Sequence, residues 1–291
     1  MKLLIFITLL IANLASAAPL KVAVLSELLG DLTQQIGGDK VSVINLAEGM
    51  SNPHDFSPTP RDISKAQGAR LYIASGKGLE SYLPKLKSIV GSQAEVIELG
   101  RSVVSIKISG DSAVYACCPK HSFGAIDPHW WHSIEAWRRA STALAKELGK
   151  ADPTNAAYYK ARAKNYRNEL SKLKSWCKKE LAGIPRQQRL LTTAHAAFTY
   201  FCKEFKFQAI PIQGLNKQQS ASPQYIAEAI SIIKKRKVEA IFPEKGANSK
   251  GIQSIANSTG TKIAPALYGD TAPTIKELFR HNVSVIKQAL Q

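Results

Sequence analysis

Two sets of four short apolar runs occur in this chain, and one long polar-faced helical stretch separates them. The first set is "LKVAVL" (20–25), "VSVINL" (41–46), "ARLYIA" (69–74) and "AEVIEL" (94–99). The second is "RLLTTA" (189–194), "FQAIPI" (207–212), "VEAIFP" (238–243) and "TKIAPA" (261–266). Each is short, apolar and rich in β-branched residues, which marks a buried strand. Helical stretches lie between them: "SELLGDLTQQIGG", "RDISKAQG" and "LESYLPKLKSIVG" in the first set, "AAFTYFCKEF", "SPQYIAEAISIIKKRK" and "KGIQSIANSTG" in the second. Strands that alternate with helices pair in parallel, because the helix supplies the crossover. The fold class expected is therefore α/β, with two lobes, each a parallel β-sheet flanked by helices. Hydrophobic residues make up 45% of the chain, enough to fill two such cores.

The separator is "DPTNAAYYKARAKNYRNELSKLKSWCKKELAG", 152–183. Asp152 suits a helix cap and Pro153 the first helical position, while Gly183 and Pro185 mark the end. About thirty residues at ~1.5 Å each make a rod of ~45 Å. One long rigid helix joins the lobes and lets them tilt rather than swing. The organisation expected is a signal peptide (1–17), an N-terminal lobe (18–151), the linking helix (152–183) and a C-terminal lobe (184–291).

The opening "MKLLIFITLLIANLASAAPLKVAV" has a lysine, an apolar run and then Ala15-Ser16-Ala17. This is the pattern of a cleaved secretory signal, and the run is short for a membrane span. No cysteine follows it, so the expected mature form is exported to the periplasm and not lipid-anchored. The formal charge is +17. The lysines are spread along helical segments and no nucleic-acid motif accompanies them, so no nucleic-acid partner is expected. The charge reads as a solvated basic face, of use near anionic membranes. Export permits disulfides among Cys117, Cys118, Cys177 and Cys202. Their spacing matches neither C-x-x-C nor a zinc ribbon, and their pairing stays open.

Ligands in parallel-sheet proteins bind beyond the carboxyl ends of the strands. Among six histidines, His54 follows the strand 41–46 on a loop stiffened by prolines, "SNPHDFSPTP". His195 follows the strand 189–194 and stands at the start of the helix "AAFTYFCKEF". His129 sits in "DPHWWHS", a proline-stiffened turn ahead of "SIEAWRRASTALAKEL", and Asp270 follows the strand 261–266. Both lobes contribute, so the site belongs in the cleft. Three imidazoles and one carboxylate make a four-ligand set suited to a divalent transition metal, zinc best of all. A ligating imidazole needs its second nitrogen bonded, and Asp55, Asp127 and Glu244 stand near enough in sequence to serve. His132, three residues past His129, is either a spare ligand or a packed or outward-facing side chain. His121 and His281 read as surface residues.

Several segments carry a resemblance. "NPHDFSPTPRDISKAQGARLYIASGKGLESYLPKL", "IDPHWWHS", "TAHAAFTYFCKEFKFQAIPIQGLNKQQSASPQYI", "VEAIFPE" and "ELFRHNVSVIKQAL" resemble the periplasmic metal-binding proteins of zinc/manganese ABC transporters, the cluster A-I group. The resemblance spans nearly all of the mature chain. It implies His54, His129 and His195 as ligands, with Asp270 at the position of the family's last-lobe aspartate, and two α/β lobes on one long helix. Histidine as third ligand, where many manganese binders have glutamate, favours zinc. The histidine-rich loop of many zinc members is replaced by "SAVYACCPKHSFGAIDPH", and "TAPT" follows Asp270 in a shortened segment.

The expected function is a monomeric periplasmic receptor that captures Zn2+ (or Mn2+) and delivers it to the permease of an inner-membrane ABC importer. It is not expected to be an enzyme. A manganese or iron receptor is the near alternative. A zinc hydrolase is the alternative of another class, disfavoured by the lack of H-E-x-x-H and of a nucleophile elbow. Only neutral imidazole binds metal, so affinity should fall as pH drops through the histidine range near ~6.5.

Overall fold

The computed structural model describes residues 18–50, 52–107, 124–212, 223–247 and 250–291. The first lobe holds β1 (Leu20–Val24), α1 (Glu27–Gly37), β2 (Val41–Asn45), α2 (Pro60–Lys65), β3 (Leu71–Ala74), α3 (Leu83–Val90) and β4 (Glu95–Glu98). Two helices follow, α4 (Ile134–Ala151) and α5 (Ala156–Leu181). The second lobe holds β5 (Leu190–Thr193), α6 (Thr199–Phe205), β6 (Gln208–Pro211), α7 (Pro223–Arg236), β7 (Ala240–Phe242), α8 (Lys250–Thr259) and β8 (Lys262–Ile263), and α9 (Ile275–Leu290) closes the chain.

All eight strands lie within the runs read from sequence. They form two four-stranded sheets, ordered β2-β1-β3-β4 and β6-β5-β7-β8, with every pair parallel. The topology of one lobe is thus repeated in the other. Parallel strands are covered on both faces, and the core follows that rule. Two outer clusters sit under the flanking helices: Leu25, Phe56, Leu83 and Leu86 in the first lobe, and Ile210, Ile233, Ile241 and Ile255 in the second. The inner faces are different. One hydrophobic cluster runs from Val24 and Leu32 through Trp137, Leu144, Tyr159 and Leu170 to Phe201, Phe242, Phe279 and Ile286. The helices α1, α4, α5 and α9 pack together in this shared layer.

The long helix departs from expectation at its start. Asp152 ends α4 instead of opening α5: its backbone is at φ −137, ψ 81, and its Oδ2 accepts from Asn155 Nδ2 (2.7 Å) and Tyr159 Oη (2.6 Å). A single 3-10 turn, Pro153–Asn155, intervenes, and α5 begins at Ala156. Its 26 residues span ~39 Å. At its far end Arg189 donates to the carbonyls of Ile184 (3.0 Å), Leu181 (3.0 Å) and Phe205 (3.2 Å), fastening the helix to the second lobe. Cys177 and Cys202 are buried thiols, while Cys117, Cys118, His121 and the segment 1–17 lie outside the described residues. Among the described residues no helix is long and apolar enough to cross a membrane.

Candidate metal centre

His54 is placed by a loop built to be stiff. Its backbone N–H donates to Asn52 Oδ1 at 3.2 Å, and Asn52 Nδ2 donates to Asp55 Oδ2 at 2.5 Å. Phe56 is buried edge-on against Tyr82, with ring centroids 5.8 Å apart. The loop then ends in a capping box: Thr59 Oγ1 accepts from Asp62 N, the Asp62 carboxylate accepts from Thr59 N, and Pro60 is the first helical residue. The Asp55 carboxylate is thus turned to Asn52, a correction to its expected place behind a ligand.

His129 is oriented by Asp127. One carboxylate oxygen of Asp127 accepts both the His129 backbone N–H (2.9 Å) and Nδ1–H (2.8 Å), so Nε2 is the nitrogen left to face the cleft. Asp127 is held in turn by its own N–H on Ile106 O at 2.9 Å. The 3-10 turn Trp130–His132 leads to Ser133, whose side chain caps α4.

His195 lies in a bend after β5, ahead of α6, which begins at Thr199 and not at the alanines following the histidine. Local bonds pull the backbone away from helix here. Thr193 Oγ1 (2.8 Å) and Ala197 N (2.9 Å) both donate to His195 O, and His195 N donates to Glu244 Oε1 (2.9 Å). The other Glu244 oxygen stands 2.6 Å from His195 Nδ1. Glu244 follows β7 and bridges in parallel to Leu267, which sets it beside the loop of Asp270. That loop is gripped at Tyr268, whose N–H donates to Asn282 Oδ1 (2.8 Å) and whose carbonyl accepts from Asn282 Nδ2 (2.9 Å).

The four side chains converge. One ligand atom from each of His54, His129, His195 and Asp270 lies within 4.8 Å of the other three. His54 Nε2 and His129 Nε2 are 3.0 Å apart, His195 Nε2 and Asp270 Oδ1 3.3 Å, and His129 Nε2 and Asp270 Oδ1 3.9 Å. Two donors each ~2.0–2.1 Å from a tetrahedral ion stand ~3.3 Å apart, so the spacing fits one ion. His129 and His195 are fully buried and Asp270 is 4% exposed, whereas His54 is half-buried. In the protein alone, burial pulls the His195 pKa down, but the Glu244 and Asp270 carboxylates outweigh it and push it up to about 10.

His132 is not in this cluster. It is buried, with Nε2 on Gly269 O at 2.6 Å and its ring 4.2 Å from that of Phe198. His281 is half-buried rather than at the surface: its Nε2 meets Ala266 O at 2.8 Å and its ring packs on Tyr268. Asn282 went unnoticed in the sequence. It acts across 14 residues from within a helix, where no local pattern marks it.

The chain is similar to known proteins over nearly its whole length. Residues 22–289 match the family described as ZnuA, zinc-uptake complex component A, periplasmic. The manganese-binding lipoprotein MntA of Bacillus subtilis (strain 168) is 28% identical over 284 residues, covering 94% of this chain and 90% of MntA. The manganese ABC transporter substrate-binding lipoprotein PsaA of Streptococcus mitis is 26% identical over 263 residues, covering 88% of this chain and 82% of PsaA. The structure of the periplasmic zinc-binding protein TroA of Treponema pallidum superposes with a TM-score of 0.83 at 23% identity, over 94% of this chain and 99% of TroA. A match over nearly the whole chain and a repeated parallel-sheet fold agree with one another: the chain belongs to the ZnuA family, the metal-binding, substrate-binding components of ABC transporters.

Proposed function

We propose that His54, His129, His195 and Asp270 bind one Zn2+ between the lobes and that the loaded protein delivers it to the permease of an ABC importer. The observation that carries this reading is the convergence of three imidazole nitrogens and one carboxylate within 4.8 Å. Nitrogen-rich, four-donor sets suit zinc, while manganese favours more oxygen donors and a higher coordination number. Asp127 and Glu244 act behind the ligands, each fixing the ring of one imidazole. The hydrolase alternative finds no footing, since the family is an uptake component and not an enzyme.

Manganese is the second reading, supported by relatives named manganese-binding. Competition between Zn2+ and Mn2+ on metal-free protein separates the two, and tighter manganese binding would reverse the order proposed here. Replacing His54 by alanine should lower zinc affinity by more than ~100-fold, beyond the usual effect of losing a supporting group, with the far-ultraviolet circular dichroism unchanged. Titration calorimetry reads the affinity, and a wild-type value would remove His54 from the ligand set. MntA and PsaA are named lipoproteins, which runs against the expected unlipidated form. Detergent phase partition of the native protein decides whether it carries a lipid.

A further inference from the structure

Gly269 immediately precedes Asp270, and its carbonyl oxygen accepts two hydrogen bonds from the segment that carries His129. Trp131 Nε1 donates at 2.9 Å and His132 Nε2 at 2.6 Å, both buried. A carbonyl only accepts, so His132 carries its proton on Nε2. The His132 ring also lies on Phe198 at 4.2 Å, three residues beyond His195. Burial holds its pKa down to about 3, which keeps the ring a neutral donor. The same loop is restrained on its other sides. Asn282 takes both backbone groups of Tyr268, and a Cβ added to Gly269 would stand 2.3 Å from Glu244 Oε2. The donors to Gly269 thus come from the segment of one ligand and act on the residue next to another, across the cleft.

We propose that His132, together with Trp131, is a positioning residue for metal binding: by holding the Gly269 carbonyl it fixes the Asp270 carboxylate at the ion shared with His129 and His195. This rests on the four-ligand reading above. The competing view is that His132 only fills space beside Phe198, in which case any ring of its size serves.

His132→Phe keeps the ring and removes the donor; His132→Gln keeps a donor and removes the ring. Zn2+ affinity is read by calorimetry and the ligand field by the visible absorption of Co2+ bound in place of zinc. The expected result is a loss of about tenfold or more in His132→Phe, with a Co2+ spectrum moved toward that of Asp270→Ala, and near wild-type behaviour in His132→Gln. His132→Phe added to Asp270→Ala should cost little further affinity. If His132→Phe does not fold, Trp131→Phe, which removes the other donor, is judged by the same criteria. A wild-type affinity and spectrum in the Phe variant, or a loss that adds fully to that of Asp270→Ala, overturns the positioning role while leaving Asp270 a ligand. An Asp270→Ala variant that itself binds normally overturns the ligand assignment and this inference with it.

Discussion

A single buried imidazole, His195, sits between two carboxylates, with Glu244 2.6 Å from Nδ1 and Asp270 3.3 Å from Nε2. Their charge raises its pKa to about 10 against the pull of burial, so at neutral pH the ring holds a proton that, on the proposed ligand set, an incoming ion must expel. The sign follows: below that pKa, affinity rises with pH, by about tenfold per unit for one displaced proton. The window therefore lies above the one near ~6.5 expected for ordinary histidines. Calorimetry at pH 8 in buffers of different ionisation enthalpy should show about one proton released per ion, and Glu244→Gln should remove most of it. Equal heats in all buffers would show that His195 is already neutral. The four grouped residues were legible in the sequence: His54, His195 and Asp270 stand on loops beyond strands, where this topology puts its sites, and His129 stands in a proline-stiffened turn ahead of a helix. Asp127 and Glu244 were legible by nearness to the same motifs. His132 was not, since its partner is a backbone carbonyl 137 residues away, and its spacing from His129 carries no hint of it.

The elements were legible where burial decides them. Each of the eight strands is an apolar run that fills a parallel sheet, and side-chain pattern alone locates it. Helix starts were not, because there the backbone chooses among local partners. Asp152 caps nothing ahead of it and instead bonds Asn155 and Tyr159, and the turn at His195 uses the groups that would have opened α6 three residues earlier. The short helix α2 shows the opposite case, a start that its own residues settle through the Thr59–Asp62 box. Thr59→Ala should cost about 1 kcal/mol in urea unfolding and weaken zinc binding less than His54→Ala does. An affinity loss as large as that of His54→Ala would mean that the cap, and not the prolines, holds the loop in place.

At the scale of the whole molecule, the lobes are two sheets with one inner core. Leu144 in α4 and Tyr159 in α5 belong to the same cluster as Val24 in the first sheet and Phe242 in the second. Unfolding should therefore be one transition, with tryptophan fluorescence and far-ultraviolet circular dichroism falling together in denaturant. Two separated transitions would show that the sheets stand independently. Leu144→Ala should destabilise that single transition by about 2–5 kcal/mol. Of the four grouped side chains, three are sealed in this interior and only His54 reaches toward water. On the proposed ligand set, exchange is then one-sided: an arriving ion meets His54 first, and a departing one loses it last. Residence time is written chiefly into one proline-braced loop, and a transporter that tugs on that loop can unload the cargo without prising the halves of its carrier apart.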